Sequence, residues 1–326
     1  MRAMQARLRV RPTRLGRLAD YVGEMFPLLQ YAPFAVAMFG SIYLGAQALT
    51  SHEVLVVHPR ALAGAASVLL FLLLMRVYDE IKDAEHDRRL AAAGDPRYRH
   101  RPIVTGRVTD ADLVALRGGL QLALVALNLV YWPTIAFAGF ALAFAVTWLS
   151  SRWFFWPPIS RHLLLAFATH NPITLVIGVY GLACAMADMP GLAVGPWALA
   201  LLGLVWMPVA AWETARKLRA PRDETAYQTY SKLLGPRIAG TLPAVFAAAG
   251  AACLVGMARS AGLGAALPAI HLAATAVVAG ACARYVVAPS SRSAQLKPWF
   301  EAWSALTGIG WVAALIAARG LQVVIA

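Results

Sequence analysis

The sequence predicts an all-α, polytopic membrane protein of about nine transmembrane helices, and three observations carry that prediction. Of its 326 residues, 60% are hydrophobic and 14% charged, against the roughly half-apolar, quarter-charged mix of water-soluble domains. Apolar runs of the roughly 20 residues needed to cross a bilayer core of about 30 Å recur along the whole chain. The 29 Lys and Arg residues are distributed as the positive-inside rule requires.

The predicted spans are Pro33–Leu49, Ala61–Val77, Leu113–Tyr131, Thr134–Leu149, Leu163–Met186, Pro196–Trp212, Ile238–Met257, Leu267–Val287 and Ser304–Ile325. With a cytoplasmic N-terminus, the inner segments hold every Lys and Arg except Arg60, Arg259 and Arg319. An odd number of spans puts the C-terminus outside. The chain therefore reads as one transmembrane domain, 1–326, in the cytoplasmic membrane of a bacterium. Residues 1–30 form a basic, amphipathic cytoplasmic segment. The stretch RLADYVGEMF lacks a cleavage site after a short apolar core, so it predicts a helix lying on the membrane surface rather than a removable signal.

The net charge of +13 is accounted for by spans and anionic lipid, which argues against nucleic acid as a partner. Cys184, Cys253 and Cys282 show neither pairing nor metal spacing and read as packing residues.

Polar chemistry concentrates in two inner loops, which hold nine of the sixteen acidic residues. The first opens with DEIKDAEHD, five carboxylates in nine residues directly behind the second span. Continued as a helix, Asp79, Glu80, Asp83 and Asp87 share one face about 100° wide, and Glu85 points away. Four like charges on one face raise each other's pKa unless a cation lies between them. A hard divalent ion is the natural partner, and Mg²⁺, with Mn²⁺ able to substitute, typically shares carboxylates with substrate phosphates. The plainer alternative is a solvated helix end pairing with Lys82, Arg88 and Arg89.

Behind the acids comes AAAGDPRYRHRPIVTGRV, in which Arg97, Arg99, Arg101 and Arg107 accompany Pro96, Pro102 and Gly106. Clustered arginines suit phosphate oxygens, and the Pro and Gly residues shape a loop able to fold back over the acidic helix. Acidic face and basic loop together suit a metal–diphosphate complex. Asp79-Glu80-x-x-Asp83-x-x-x-Asp87 resembles the Asn-Asp-x-x-Asp-x-x-x-Asp signature of the UbiA-type intramembrane prenyltransferases, and Arg101-Pro102-Ile-Val-Thr-Gly106 resembles their Arg-Pro…Gly element. The resemblance implies nine helices bundled around a central prenyl-diphosphate cavity. Asp79 and Glu80 replace the family's Asn and Asp but keep oxygen ligands.

The second loop, WETARKLRAPRDETAYQTYSKLLG, departs further, because the family's Asp-x-x-x-Asp pair is absent. Glu213, Arg216 and Lys217 should share a helix face on a helix ending near Pro221. Fixed positive charge would then replace part of a second metal site, with Asp223 left as a metal ligand and Tyr230 as a substrate contact. Intrahelical Glu–Arg and Glu–Lys pairing is the plainer reading. Within the fifth span, His170-Asn171-Pro172 is either an acceptor pocket or a helix-to-helix hydrogen-bond site. Tyr78, Trp206, Trp212 and Tyr230 suit a prenyl channel or an interfacial aromatic belt equally.

The resemblance implies an Mg²⁺-dependent transferase that moves an isoprenyl group from its diphosphate to a hydrophobic or membrane-associated acceptor, aromatic or lipid-type, releasing pyrophosphate. Asp79, Glu80, Asp83, Asp87 and Asp223 would hold metal. Arg101, Arg107, Arg216 and Lys217 would neutralise the diphosphate, with Asp83, Asp87, Arg101 and Lys217 at the reacting centre. A UbiA-like terpene cyclase would use the same ionisation without an acceptor. A divalent-cation transporter would want its carboxylates nearer mid-membrane.

Overall fold

The computed structural model describes residues 13–50, 53–132, 135–153, 156–225 and 227–324. Residues 1–12 of the basic segment, Pro133 of the predicted outer turn, Thr134 at the start of the fourth span and Ile325 at the end of the ninth lie outside them. In chain order the elements are α1 (Arg14–Met25), α2 (Leu28–Leu49), β1 (Leu55–Val57), α3 (Arg60–Ala92), α4 (Asp110–Tyr131), α5 (Ile135–Trp153) and α6 (Pro157–Ser160). They continue with α7 (Leu163–His170), α8 (Ile173–Asp188), α9 (Trp197–Arg216), α10 (Tyr230–Ser260), α11 (Ala266–Val287), α12 (Lys297–Arg319) and β2 (Leu321–Val323). Among the described residues, nine helical segments are long and apolar enough to cross a membrane, with α7 and α8 together forming one of them.

The helix boundaries follow local chemistry, and several differ from the sequence expectation. The fifth span breaks between His170 and Ile173, where Pro172 removes a backbone donor. The helix of the second loop ends at Arg216 rather than near Pro221. Pro221 holds its predecessor Ala220 in extended backbone (ψ 150°) and begins a 3₁₀ turn, Pro221–Asp223. The seventh span starts eight residues before Ile238, at Tyr230, with Thr229 accepting at 3.1 Å from the backbone N–H of Lys232. It bends where Gly235 takes φ 76° ahead of Pro236.

The ninth span corrects the sequence reading most. It begins at Lys297, seven residues before Ser304, and stops at Gly320, whose φ of 69° ends the helix. Leu321–Val323 then forms a strand parallel to Leu55–Val57, with Leu55 opposite Leu321. Among the described residues this short pair is the only sheet, and apolar composition alone could not distinguish its second strand from more span.

The chain divides into two compact units, Met1–Pro33 with Leu70–Val125, and Phe34–Leu69 with Ala126–Ala326. In the first unit, α1 is tied down along its length. Thr13 caps it, accepting from Gly16 N–H at 3.1 Å. Arg17 grips Asp112 through Nε at 2.9 Å and Nη2 at 2.7 Å, and Glu24 pairs with Arg107. Asp112 also closes a reciprocal cap with Thr109 at the start of α4.

The second unit has a core of close helix contacts. A Cβ on Gly45 would lie 2.7 Å from Leu201 Cδ1, and one on Gly139 2.8 Å from Ala183 Cβ, so small residues set how near these helices approach. Several buried polar groups in this unit are paired. Tyr180 donates to Asn128 Oδ1 at 2.7 Å, Asn128 donates to Ser67 Oγ at 2.9 Å, and Tyr43 donates to Asp188 at 2.6 Å beside Arg60.

Candidate functional site

In the first unit, α3 outlasts its apolar run, so Asp79–Asp87 stand on continuous helix. The carboxylates the sequence put on one face divide into two stripes. Asp79 and Asp83 are open, with side chains 43% and 44% exposed, and share one cation: Lys82 Nζ lies 3.4 Å from Asp79 and 3.5 Å from Asp83. Glu80 and Asp87 are buried, with side chains 0% and 2% exposed, and each meets an arginine, Arg76 one turn earlier and Arg101 from the loop. Glu85 points away as expected, with Arg89 3.9 Å from it.

The loop therefore folds back over the acidic helix, and Arg101 is the residue that brings it there. Arg101 also lies 4.9 Å from the centre of the Tyr98 ring. Gly106 turns the loop at φ 72°. Arg107 reaches away from the acids. Its Nη2 donates to Glu24 at 3.0 Å and to the His100 carbonyl at 2.7 Å, and its pKa is raised chiefly by the hydrogen bond to Glu24.

Two buried polar atoms in this unit have no hydrogen-bond partner among the described residues: Glu80 Oε1 and the hydroxyl of Tyr21 on α1. Burial holds the Tyr21 phenol well above its ordinary pKa, and the negative charge of Glu80 adds to that shift. Sequence reading missed Tyr21. The amphipathic pattern predicted its helix, but the apolar face was assigned to lipid, whereas Tyr21 is 1% exposed against protein.

Among the described residues, no group of three or more His, Cys, Asp or Glu side chains forms a ready cation site. The donors instead fit a metal shared with a phosphate ligand: an open Asp79–Asp83 pair separated only by a lysine, and an unsatisfied buried carboxylate oxygen on Glu80.

In the second unit, Glu213 sits at the end of α9, mostly buried. Arg216 Nε is 2.5 Å and Lys217 Nζ 2.8 Å from its carboxylate, and Arg216 lies 4.8 Å over the Trp212 ring. The two cations are thus brought together by Glu213, the intrahelical pairing foreseen as the plainer reading. Asp223 stands apart on its 3₁₀ turn, 40% exposed and 3.8 Å from Arg222. Tyr230 lies in a buried cluster with Leu163, Ala211 and Tyr285, edge-on to Phe167, and its hydroxyl too is without a partner among the described residues.

Glu224, which the sequence did not single out, accepts from Thr229 at 2.8 Å and from Ser231 at 2.7 Å, fixing the strand of loop that enters α10. His170 and Asn171 both bridge helices. His170 Nε2 is 3.2 Å from the Ser150 carbonyl, and Asn171 Oδ1 accepts from Trp206 Nε1 at 2.7 Å. Tyr78 accepts from Gln121 at 2.9 Å.

No family profile matches the chain, and no curated protein matches it in sequence. Among solved structures it is similar to the apo structure of a UbiA homolog from Aeropyrum pernix K1, at 19% identity over 87% of this chain and 97% of that one, with a TM-score of 0.60. It is also similar to a structure concerned with digeranylgeranylglyceryl phosphate synthase in membranes, at 12% identity over 92% of this chain and 99% of that one, with a TM-score of 0.58. The fold is that of the UbiA-type intramembrane proteins.

Proposed function

We propose that this protein is an Mg²⁺-dependent intramembrane prenyltransferase, acting on an isoprenyl diphosphate and a hydrophobic or membrane-associated acceptor at the inner face of the membrane. The observation that carries the reading is the Arg101–Asp87 pair, which folds a basic loop onto an acidic helix end within a UbiA-type fold. Such a pairing of opposite charges suits a ligand that is itself a metal–anion complex.

In this reading Asp79 and Asp83 hold the metal, with Glu80 Oε1 as a further oxygen donor. Bound Mg²⁺ would supply neutralisation of charge on the leaving diphosphate. Arg101 would move between Asp87 in the free protein and the diphosphate in the loaded one. Arg107 would fix the loop through Glu24. Arg216 and Lys217, held by Glu213, make a second cluster of fixed positive charge, in the other unit, whose chemistry suits an anionic group. The allylic C–O bond breaks with its electron pair going to the diphosphate oxygen, the acceptor's electron pair forms the new bond to carbon, and the acceptor loses a proton. His170 and Asn171 serve to brace α7 and α8 against α5 and α9.

The test is incubation of the purified protein with a panel of prenyl diphosphates and membrane extract, with and without Mg²⁺, and detection of prenylated species by mass. Metal-dependent prenylated products are expected. A hydrocarbon or alcohol formed without acceptor would make the protein a cyclase instead, and absence of turnover with every diphosphate would overturn the reading.

A further inference from the structure

Two complementary groups in the first unit remain unsatisfied. The Tyr21 hydroxyl is a donor, Glu80 Oε1 is an acceptor, both residues are 1% exposed, and neither atom has a partner among the described residues. Glu80's other oxygen is taken by Arg76. The charged groups acting on the Tyr21 hydroxyl are Glu80, Arg76, Asp79 and Arg101, which are members of the acidic helix end and its folded-back arginine. A buried hydroxyl with no partner destabilises the fold that holds it, and a phenylalanine would pack there without that penalty.

The helix that carries Tyr21 is also held more firmly than a surface anchor requires. Arg17 clasps the nearly buried Asp112 with two hydrogen bonds, and Glu24 is locked to Arg107 of the same loop that presents Arg101. The second unit repeats the parts: Glu213 is paired with Arg216 of its own helix, and the partnerless hydroxyl of Tyr230 is acted on by both.

Building on the proposed function, we infer that Tyr21 is a ligand-binding residue of the first cluster, its hydroxyl donating a hydrogen bond to a phosphate oxygen of the diphosphate held there. α1 is then a wall of the site and not only a membrane-surface helix. A phenol suits the position because it donates a hydrogen bond without adding charge to a cluster whose arginines are already matched to Glu80 and Asp87.

The test uses the full chain in detergent, with inorganic pyrophosphate plus Mg²⁺ as probe and both titration calorimetry and thermal melting as readouts. Ligand-free Tyr21→Phe is expected to melt at or above the wild-type temperature, since it loses an unsatisfied buried group. Its affinity for Mg²⁺-pyrophosphate is expected to fall roughly tenfold or more, the loss of one hydrogen bond to a charged acceptor. Asp83→Asn serves as the control for metal binding and should weaken the probe further. Wild-type affinity in Tyr21→Phe overturns the inference while leaving the proposed function standing. So does a lowered melting temperature of the ligand-free variant, because the hydroxyl then has a structural partner. Failure of the wild-type protein to bind the probe removes the proposed function, and the inference with it.

Discussion

Asp79 and Asp83 share a single cation: Lys82 Nζ lies 3.4 Å from one carboxylate and 3.5 Å from the other. Both acids are partly exposed, so each contact contributes at most about 1 kcal/mol. Lys82 therefore competes weakly for the oxygens assigned to the metal. Lys82→Met should lower the Mg²⁺ concentration giving half-maximal turnover by up to about fivefold. A Mg²⁺ titration of turnover decides it, and a raised Mg²⁺ requirement would make Lys82 a substrate contact instead.

Asp83→Asn should abolish turnover, by roughly a thousandfold or more, with the melting temperature within a few degrees of wild type, because the side chain is half-open and its ion pair with Lys82 is a weak one. Chelation of divalent ions should have the same effect on the unmodified protein and be reversed by Mg²⁺. Turnover that survives the substitution or the chelator would sink the metal assignment.

Arg101→Ala leaves the buried Asp87 carboxylate without its cation. Loss of a charged hydrogen bond to a buried acceptor costs about 2 kcal/mol, and the loop Ala93–Thr109 loses its anchor to α3. Chemical denaturation should show the loss, and Arg101→Ala/Asp87→Asn together should recover most of it. Turnover should stay absent in both, since Arg101 is needed by the ligand as well as by the fold. Recovery of turnover in the double variant would confine Arg101 to a structural role.

Asn128→Ala should lower stability by about 1 kcal/mol, the size of an interhelical hydrogen bond in a membrane protein, by taking the acceptor from Tyr180 and the donor from Ser67. Turnover per folded molecule should be unchanged. A melting curve paired with an activity assay separates the two effects.

The sequence by itself determined the nine apolar segments and the acidic and basic motifs, because apolar length and charge spacing are properties of the chain read residue by residue. Helical periodicity also placed Glu85 off the shared face. It could not say which of the remaining four carboxylates would be buried, since Glu80 and Asp87 differ from Asp79 and Asp83 only in what packs over them. Nor could it say that Leu321–Val323 leaves the helix, because an apolar stretch is indifferent between helix and strand until Leu55–Val57 offers it a partner. Tertiary structure alone decided that Arg101 would turn onto Asp87 while Arg107 went to Glu24, and that Tyr21 would be buried with its hydroxyl unsatisfied. Those are contacts between residues far apart in the chain, set by the loop's turn at Gly106 and by packing, and no local pattern encodes them.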